Sequence, residues 1–205
     1  IALLNVCEAG DQIVAAKTLY GGTHTQLGVN FKKLGIETVF VDASDPQNFA
    51  RAITPKTKAL YAETLGNPSL NVLDIEAVAQ IGHQAGVPLF IDNTFASPYL
   101  CQPFLWGAAI SIHSATKFLG GHGTVVAGAI VDGGKFAWSK NVEKFPGLTE
   151  PDPSYHGASF TTVLGDGIAY IIKARVQLLR DTGAAVAPDN AWAILQGIET
   201  LSLRM

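Results

Sequence analysis

Three consecutive pieces decide the fold: Ala59-Leu60-Tyr61-Ala62-Glu63-Thr64, then Asp74-Ile75-Glu76-Ala77-Val78-Ala79-Gln80-Ile81-Gly82-His83-Gln84-Ala85-Gly86, then Leu89-Phe90-Ile91-Asp92. The first and last are short apolar runs of strand length, while the middle piece sets Ile75, Val78 and Ile81 on one helical face. Asp74 is a helix N-cap residue and Gly86 a terminator, so both helix ends are written locally. Strand, helix, strand in that order makes a parallel pair with both sheet faces covered. The same alternation runs outward on both sides. Upstream we expect a helix end over Ile1 to Ala9 closed by Gly10, and a strand from Gln12 to Lys17. A helix capped by Thr23 or Thr25 should follow, carrying Leu27, Phe31 and Leu34 and ended by Gly35. A strand from Glu37 to Asp42 comes next, and then a short helix with Asp45 as cap and Pro46 in its first turn.

Downstream, the strand Ile110 to Ala115 is separated from Val125 to Val131 by about nine residues, fewer than the dozen or so a parallel crossover takes. Val125 to Val131 is therefore predicted to run antiparallel. The fold class is α/β: three layers around a mostly parallel mixed sheet with one antiparallel strand. Asp132 to Tyr155, rich in Pro, Gly and aromatics without a period, reads as a long functional loop with a short helix near Trp138. A long helix is expected over Thr161 to Arg180, ending at Gly183, and an amphipathic helix begins at Ala191 and runs to Met205.

With 205 residues, 48% hydrophobic and 15% charged, the chain is of globular type, which excludes collagen, coiled coil and a disordered tail. Fourteen Lys plus Arg against 17 Asp plus Glu leave a net charge of −3 and no basic stripe, so no nucleic acid partner is expected. No apolar run reaches the roughly 18 residues that span a bilayer, so no membrane partner is expected either. Cys7 and Cys101 lie far apart and no Asn-x-Ser/Thr sequon occurs, which points to a reducing, cytoplasmic setting. Ile1 stands in an apolar run without an initiator Met or the charged start of a signal peptide, and the last helix reads as unfinished. We therefore expect a segment of a longer polypeptide.

In an open α/β sheet, ligands gather beyond the carboxyl ends of the parallel strands. Four strand ends deliver Tyr20-Gly21-Gly22-Thr23, Gly66-Asn67-Pro68, Asp92-Asn93-Thr94 and His113-Ser114-Ala115-Thr116-Lys117. Lys117, beside Ile112, Phe118 and Leu119, can lose its proton in apolar surroundings and attack an aldehyde, although a single lysine is ordinarily a solvated surface charge. Asp92 can hold a pyridinium nitrogen protonated, or merely cap the next turn. Together they are the pair that pyridoxal phosphate chemistry requires. Ser114 and Thr116 can bind a phosphate alongside backbone N–H groups, or be ordinary strand-end hydroxyls. Tyr20 can stack on a flat ring where Gly21 and Gly22 allow close approach, or be an interior tyrosine. Asn67 can contact a ring hydroxyl and a substrate carboxylate, or serve only its turn with Pro68. Gly120-Gly121-His122-Gly123 fits neither a P-loop nor a dinucleotide fingerprint. The five histidines show no metal-ligand spacing with the cysteines, so no metal is expected.

Asp92-Asn93-Thr94-Phe95 and Ser111 to Gly123 together resemble the cofactor signature, with its Schiff-base lysine, of the Cys/Met metabolism enzymes that use pyridoxal phosphate, the trans-sulfuration group of fold type I. Leu19-Tyr20-Gly21-Gly22-Thr23 and Gly66-Asn67-Pro68 stand where that family places its ring-stacking tyrosine and substrate-side asparagine. The resemblance covers essentially the whole chain. It implies pyridoxal 5'-phosphate as cofactor, Lys117 and Tyr20 as catalytic residues, and Lys117, Asp92, Tyr20, Ser114, Thr116 and Asn67 as cofactor-binding. Residues 1–183 would form the cofactor-binding large domain, lacking its N-terminal part, and 184–205 the start of a linker and small domain. Lys144 to Gly157 resembles the O-acetylhomoserine sulfhydrylases within the family. That implies γ-replacement on O-acetyl-L-homoserine with sulfide or methanethiol, in a homotetramer built as a dimer of dimers. Cystathionine γ-synthase, cystathionine γ-lyase and methionine γ-lyase share the cofactor residues and are the alternative activities. A catalytically silent fragment is the alternative of another class. The family's phosphate-binding turn, its dimer-crossing Tyr/Arg arm and its carboxylate-binding arginine have no counterpart here, so the chain alone is expected to be severely impaired.

Overall fold

Six strands, β1 (Gln12–Ala16), β2 (Glu37–Val41), β3 (Thr57–Glu63), β4 (Leu89–Asp92), β5 (Ile110–Ser114) and β6 (Gly128–Asp132), form one sheet in the order β2-β1-β3-β4-β5-β6. The computed structural model describes all residues, 1–205. β1 to β5 are parallel and β6 runs antiparallel to β5, with Ser114 opposite Gly128. The mixed sheet and its antiparallel strand are thus as the sequence predicts. β6 nevertheless begins at Gly128, not Val125. The Thr116 hydroxyl accepts from the Ala127 N–H (3.0 Å) and donates to its carbonyl (3.2 Å), so the residues before Gly128 belong to the loop.

Strand register shows how the faces are covered. Val14, Leu60 and Leu89 lie in one row. That row meets the helix Ile75–Ala85, where a Cβ on Gly82 would stand 3.2 Å from Leu60 Cδ1. Ala15, Tyr61 and Phe90 form the next row, facing the other way. Phe90 packs edge-on against Tyr170 at 6.0 Å, and Trp138 stacks on Tyr170 at 5.3 Å. With both faces covered, β1 and β3 are buried from end to end, as their continuous apolar runs require. Each large side chain sequestered this way contributes about 1.5–3 kcal/mol. The helix Ile75–Ala85 carries the expected ends: Asp74 accepts from the Ala77 N–H at 3.0 Å, and Gly86 takes a left-handed φ of +64°. Asp45 likewise accepts from the Gln47 N–H at 2.9 Å.

Several expected elements change form. Ile1 to Ala9 holds only a 3-10 turn, Leu3–Asn5, because Asn5 turns its amide to the Tyr170 carbonyl (2.9 Å). The helix expected to be capped by Thr23 or Thr25 begins earlier, at Gly21, with Tyr20 before it and no hydroxyl cap. It continues through a π-helical stretch, Gln26–Asn30. The helix expected over Thr161 to Arg180 is broken at Gly165 (φ +73°, ψ 164°), which separates Phe160–Leu164 from Asp166–Ala174. A π-helical stretch, Arg175–Leu179, follows. Asp132 to Tyr155 is core-building: Trp138, Phe145 and Leu148 are buried and Trp138 meets Phe145 at 5.0 Å. It holds a short 3-10 helix, Trp138–Lys140, as expected near Trp138, and two further helical turns beyond that expectation, Pro146–Thr149 and Pro153–Tyr155.

Candidate active site

Register brings the polar strand ends together. Glu63 pairs with Asp92 across β3 and β4, and Asp92 pairs with Ile112 across β4 and β5. Because side chains alternate, Ser114, two residues beyond Ile112, emerges on that same face. Beyond these ends lies a cavity of about 420 Å³. Tyr20, Asn67, Asp92, Ser114, Thr116 and Lys117 all line it, together with Glu63, Leu65, Thr94, Phe95 and Val126. No residue of the 132–155 loop does.

Asp92 both shapes its turn and serves the cavity. Its Oδ1 accepts from the Thr94 N–H (3.0 Å) and the Thr94 hydroxyl (2.5 Å). Its Oδ2 receives only the Tyr61 hydroxyl at 3.5 Å, which leaves capacity for a stronger donor. Thr94 also accepts from the Ser114 N–H at 2.8 Å, locking the ends of β4 and β5 to each other. Thr116 lines the cavity, yet its hydroxyl bonds Ala127 in both directions, which leaves Ser114 the freer hydroxyl.

Lys117 follows β5 at the cavity wall and is exposed. The apolar enclosure expected from its sequence neighbours is not supplied by them. Leu119 turns down into a small cluster with Ala115 and Leu201, while Phe118 packs edge-on against Phe95 at 6.3 Å and remains partly exposed. Tyr20 is 57% exposed, so it is no interior tyrosine. Its ring lies over Gly22, where a Cβ would fall 2.6 Å from Tyr20 Cε1. Asn67 enters the turn through a cis bond to Pro68.

Glu63 is a site residue that the sequence pattern does not single out. It closes β3 as a buried carboxylate and accepts from the Tyr20 N–H at 2.7 Å. Burial, reinforced by the nearby Asp92 charge, pushes its pKa up to about 7, against the opposing effect of the Tyr20 hydrogen bond and the nearby Asn67 backbone N–H. The signal for it is a charged residue at the end of an apolar strand, just before Gly66-Asn67-Pro68. The donor set of the cavity fits pyridoxal phosphate: an amine, a carboxylate with one oxygen in reserve, an exposed aromatic ring, an amide and a free hydroxyl.

The family model for Cys/Met metabolism PLP-dependent enzymes matches residues 1–205. The chain is 58% identical over 212 aligned residues to an O-acetyl-L-homoserine sulfhydrylase of Leptospira meyeri, covering 100% of this chain and 48% of the relative. The crystal structure of a putative Campylobacter jejuni O-acetylhomoserine (thiol)-lyase, with a pyridoxyl-lysine monophosphate, superposes with a TM-score of 0.92 at 37% identity. That match covers 98% of this chain and 49% of the other. Cystathionine γ-lyase from Lactobacillus plantarum, complexed with L-serine, superposes at 0.75 with 33% identity, covering 100% and 45%. The chain spans about half the length of the curated relatives it matches.

Proposed function

Because the chain belongs to the family of Cys/Met metabolism PLP-dependent enzymes, we propose that it serves γ-replacement on O-acetyl-L-homoserine. Sulfide or methanethiol takes the place of acetate at Cγ and gives L-homocysteine or L-methionine. The observation that carries this reading is the convergence of Lys117, Asp92, Tyr20 and Asn67 on one cavity. The similarity to sulfhydrylases narrows it from the lyases to the transferase.

Pyridoxal phosphate, when bound, supplies an aldehyde for amines and an electron-withdrawing ring. Lys117 would hold the aldehyde covalently and, once displaced by the substrate amine, carry a proton from Cα. Asp92 Oδ2 would accept the ring N–H, and its ionised form keeps that nitrogen protonated. Tyr20 would lie against the ring face. The Ser114 hydroxyl and the turn that follows β5 would take the phosphate, with Thr116 beside them. Asn67 offers its amide to the ring hydroxyl and to the substrate carboxylate. The same reading carries residues 1–183 as large domain, 184–205 as the start of a linker and small domain, assembly as a dimer of dimers, and a cytoplasmic setting for Cys7 and Cys101, both of which are free thiols.

The cofactor assignment is tested by adding pyridoxal phosphate to the chain, reducing with borohydride and mapping the pyridoxyl group by mass. We expect the label on Lys117 and none in Lys117→Ala; a label spread over surface lysines would overturn the assignment. The reaction is tested on a polypeptide of the relatives' full length that contains these residues. Acetate release that depends on sulfide supports the transferase, whereas ammonia and 2-oxobutyrate without sulfide would make it a lyase.

A further inference from the structure

Glu63 sits between the two loops that frame the cavity. Its carboxylate accepts the Tyr20 N–H at 2.7 Å, on the loop after β1, and the Asn67 backbone N–H, on the loop after β3, lies close enough to lower its pKa. The two loops also meet at Thr18 and Gly66, where a Cβ on Gly66 would stand 2.8 Å from Thr18 Oγ1, and Glu63 adds the tie at Tyr20 itself. Tyr20 is mostly exposed, and the helix it leads into, Gly21–Thr25, has no side-chain cap. We propose that Glu63 is a positioning residue that sets the distance between Tyr20 and Asn67, and with it the width of the slot that admits a planar ring. That the ring is the pyridoxal one rests on the function proposed above; the clamp on Tyr20 and Asn67 does not.

A burial cost accompanies this placement. A carboxylate accepting one backbone N–H with a second close by is ordinarily held ionised. Here desolvation and the Asp92 charge outweigh those groups, so Glu63 takes up a proton near neutrality. The groups that face it are Asp92 on β4, Tyr61 on its own strand, the Tyr20 phenol after β1 and Lys117 after β5. Asp92 favours the protonated form, whereas Tyr61, pushed well above its ordinary pKa by burial and by the two carboxylates beside it, stays neutral and adds no charge. Protonation removes charge from the acceptor and weakens its attraction for both N–H groups. A glutamate stands at this position, where an amide of the same shape would be easier to bury, which fits a charged acceptor for the Tyr20 N–H.

The experiment has a cofactor-free arm and a loaded arm. In the first, the Tyr20 and Asn67 amide resonances of the chain are followed by ¹H–¹⁵N NMR from pH 5 to 9. We expect both to titrate together with a midpoint near 7, and the titration to vanish in Glu63→Gln. In the second arm, pyridoxal phosphate is titrated into parent, Glu63→Gln and Glu63→Asp at pH 8, with borohydride trapping on Lys117 as the readout. Loss of a charged hydrogen bond corresponds to about tenfold weaker retention in Glu63→Gln. Glu63→Asp, which keeps charge but shortens the reach, should recover part of it. An amide titration that persists in Glu63→Gln, or retention unchanged by it, overturns the proposal. Failure of the parent to be trapped at Lys117, with the amide titration intact, overturns the cofactor reading and leaves the clamp standing.

Discussion

Thr94 shows how much one hydroxyl can organise. It donates to Asp92 Oδ1 and accepts from the Ser114 N–H, so one side chain fixes both the carboxylate and the end of β5. Valine has the same shape and neither function. Thr94→Val should destabilise the chain by about 1–3 kcal/mol, because the Ser114 N–H is left without its acceptor. It should also lower trapping of pyridoxal phosphate at Lys117, while Thr94→Ser restores most of both. Urea midpoints and borohydride labelling check this, and a Thr94→Val chain that labels like the parent would sink the idea. At this scale, the residues legible in the sequence are those at the ends of apolar runs: Tyr20, Asn67, Asp92, Ser114, Thr116 and Lys117 all line the cavity. Glu63 is harder to see, since β3 is buried on both faces and its alternation is hidden in a continuous apolar run. The exposure of Lys117 is invisible too, because its sequence neighbours turn away from it.

Elements with local end signals are the ones the sequence specifies best, as Asp74 and Gly86 show for Ile75–Ala85. Where a break depends on tertiary packing, as at Gly165, a helical pattern reads straight through it. The docking of the helix Pro188–Glu199 is of this second kind. Gly197 lies against the loop that carries Lys117, and a Cβ there would stand 2.1 Å from the Gly120 carbonyl oxygen. Arg204 seals the contact, donating to the carbonyls of Phe118 (2.7 Å) and Gly197 (2.6 Å). Helix propensity alone says that Gly197→Ala stabilises by about 1 kcal/mol. The contact says the opposite: the carbonyl cannot yield without moving the loop, so we expect a loss of roughly 1–3 kcal/mol. Amide exchange in residues 117–121 should rise with it. Gln196→Ala, one position earlier on the exposed side, should leave both stability and exchange unchanged. A stabilised Gly197→Ala chain would show that the helix does not hold the lysine loop.

For the whole molecule, the buried site opposes the stability of the fold in one pH range. Glu63 takes up its proton near 7 in the folded chain, against an ordinary value of 4.5. Between those values the folded state binds more protons than the unfolded, so this group's contribution to stability falls as pH rises from about 4.5 to 7 and stays lost above. Asp132, raised by burial, acts in the same direction from its own lower starting point. His113 acts oppositely: burial lowers its pKa, so the unfolded chain takes up the proton first and stability is lost on acidification below about 6.5. Glu63→Gln isolates the first of these, since an amide does not titrate. Parent and variant should unfold at nearly the same urea concentration at pH 5. By pH 8 the variant should be the more stable, by about 1–2 kcal/mol once the water in the cavity is allowed to screen the charge. A residue kept only for the fold would not be improved by its own neutral isostere at working pH. A site that gives up stability for a charged acceptor would be, and it should lose cofactor retention in the same variant. Equal or lower stability of Glu63→Gln at pH 8 would mean that the Tyr20 hydrogen bond and the nearby Asn67 N–H outweigh the burial, and that Glu63 belongs to the scaffold.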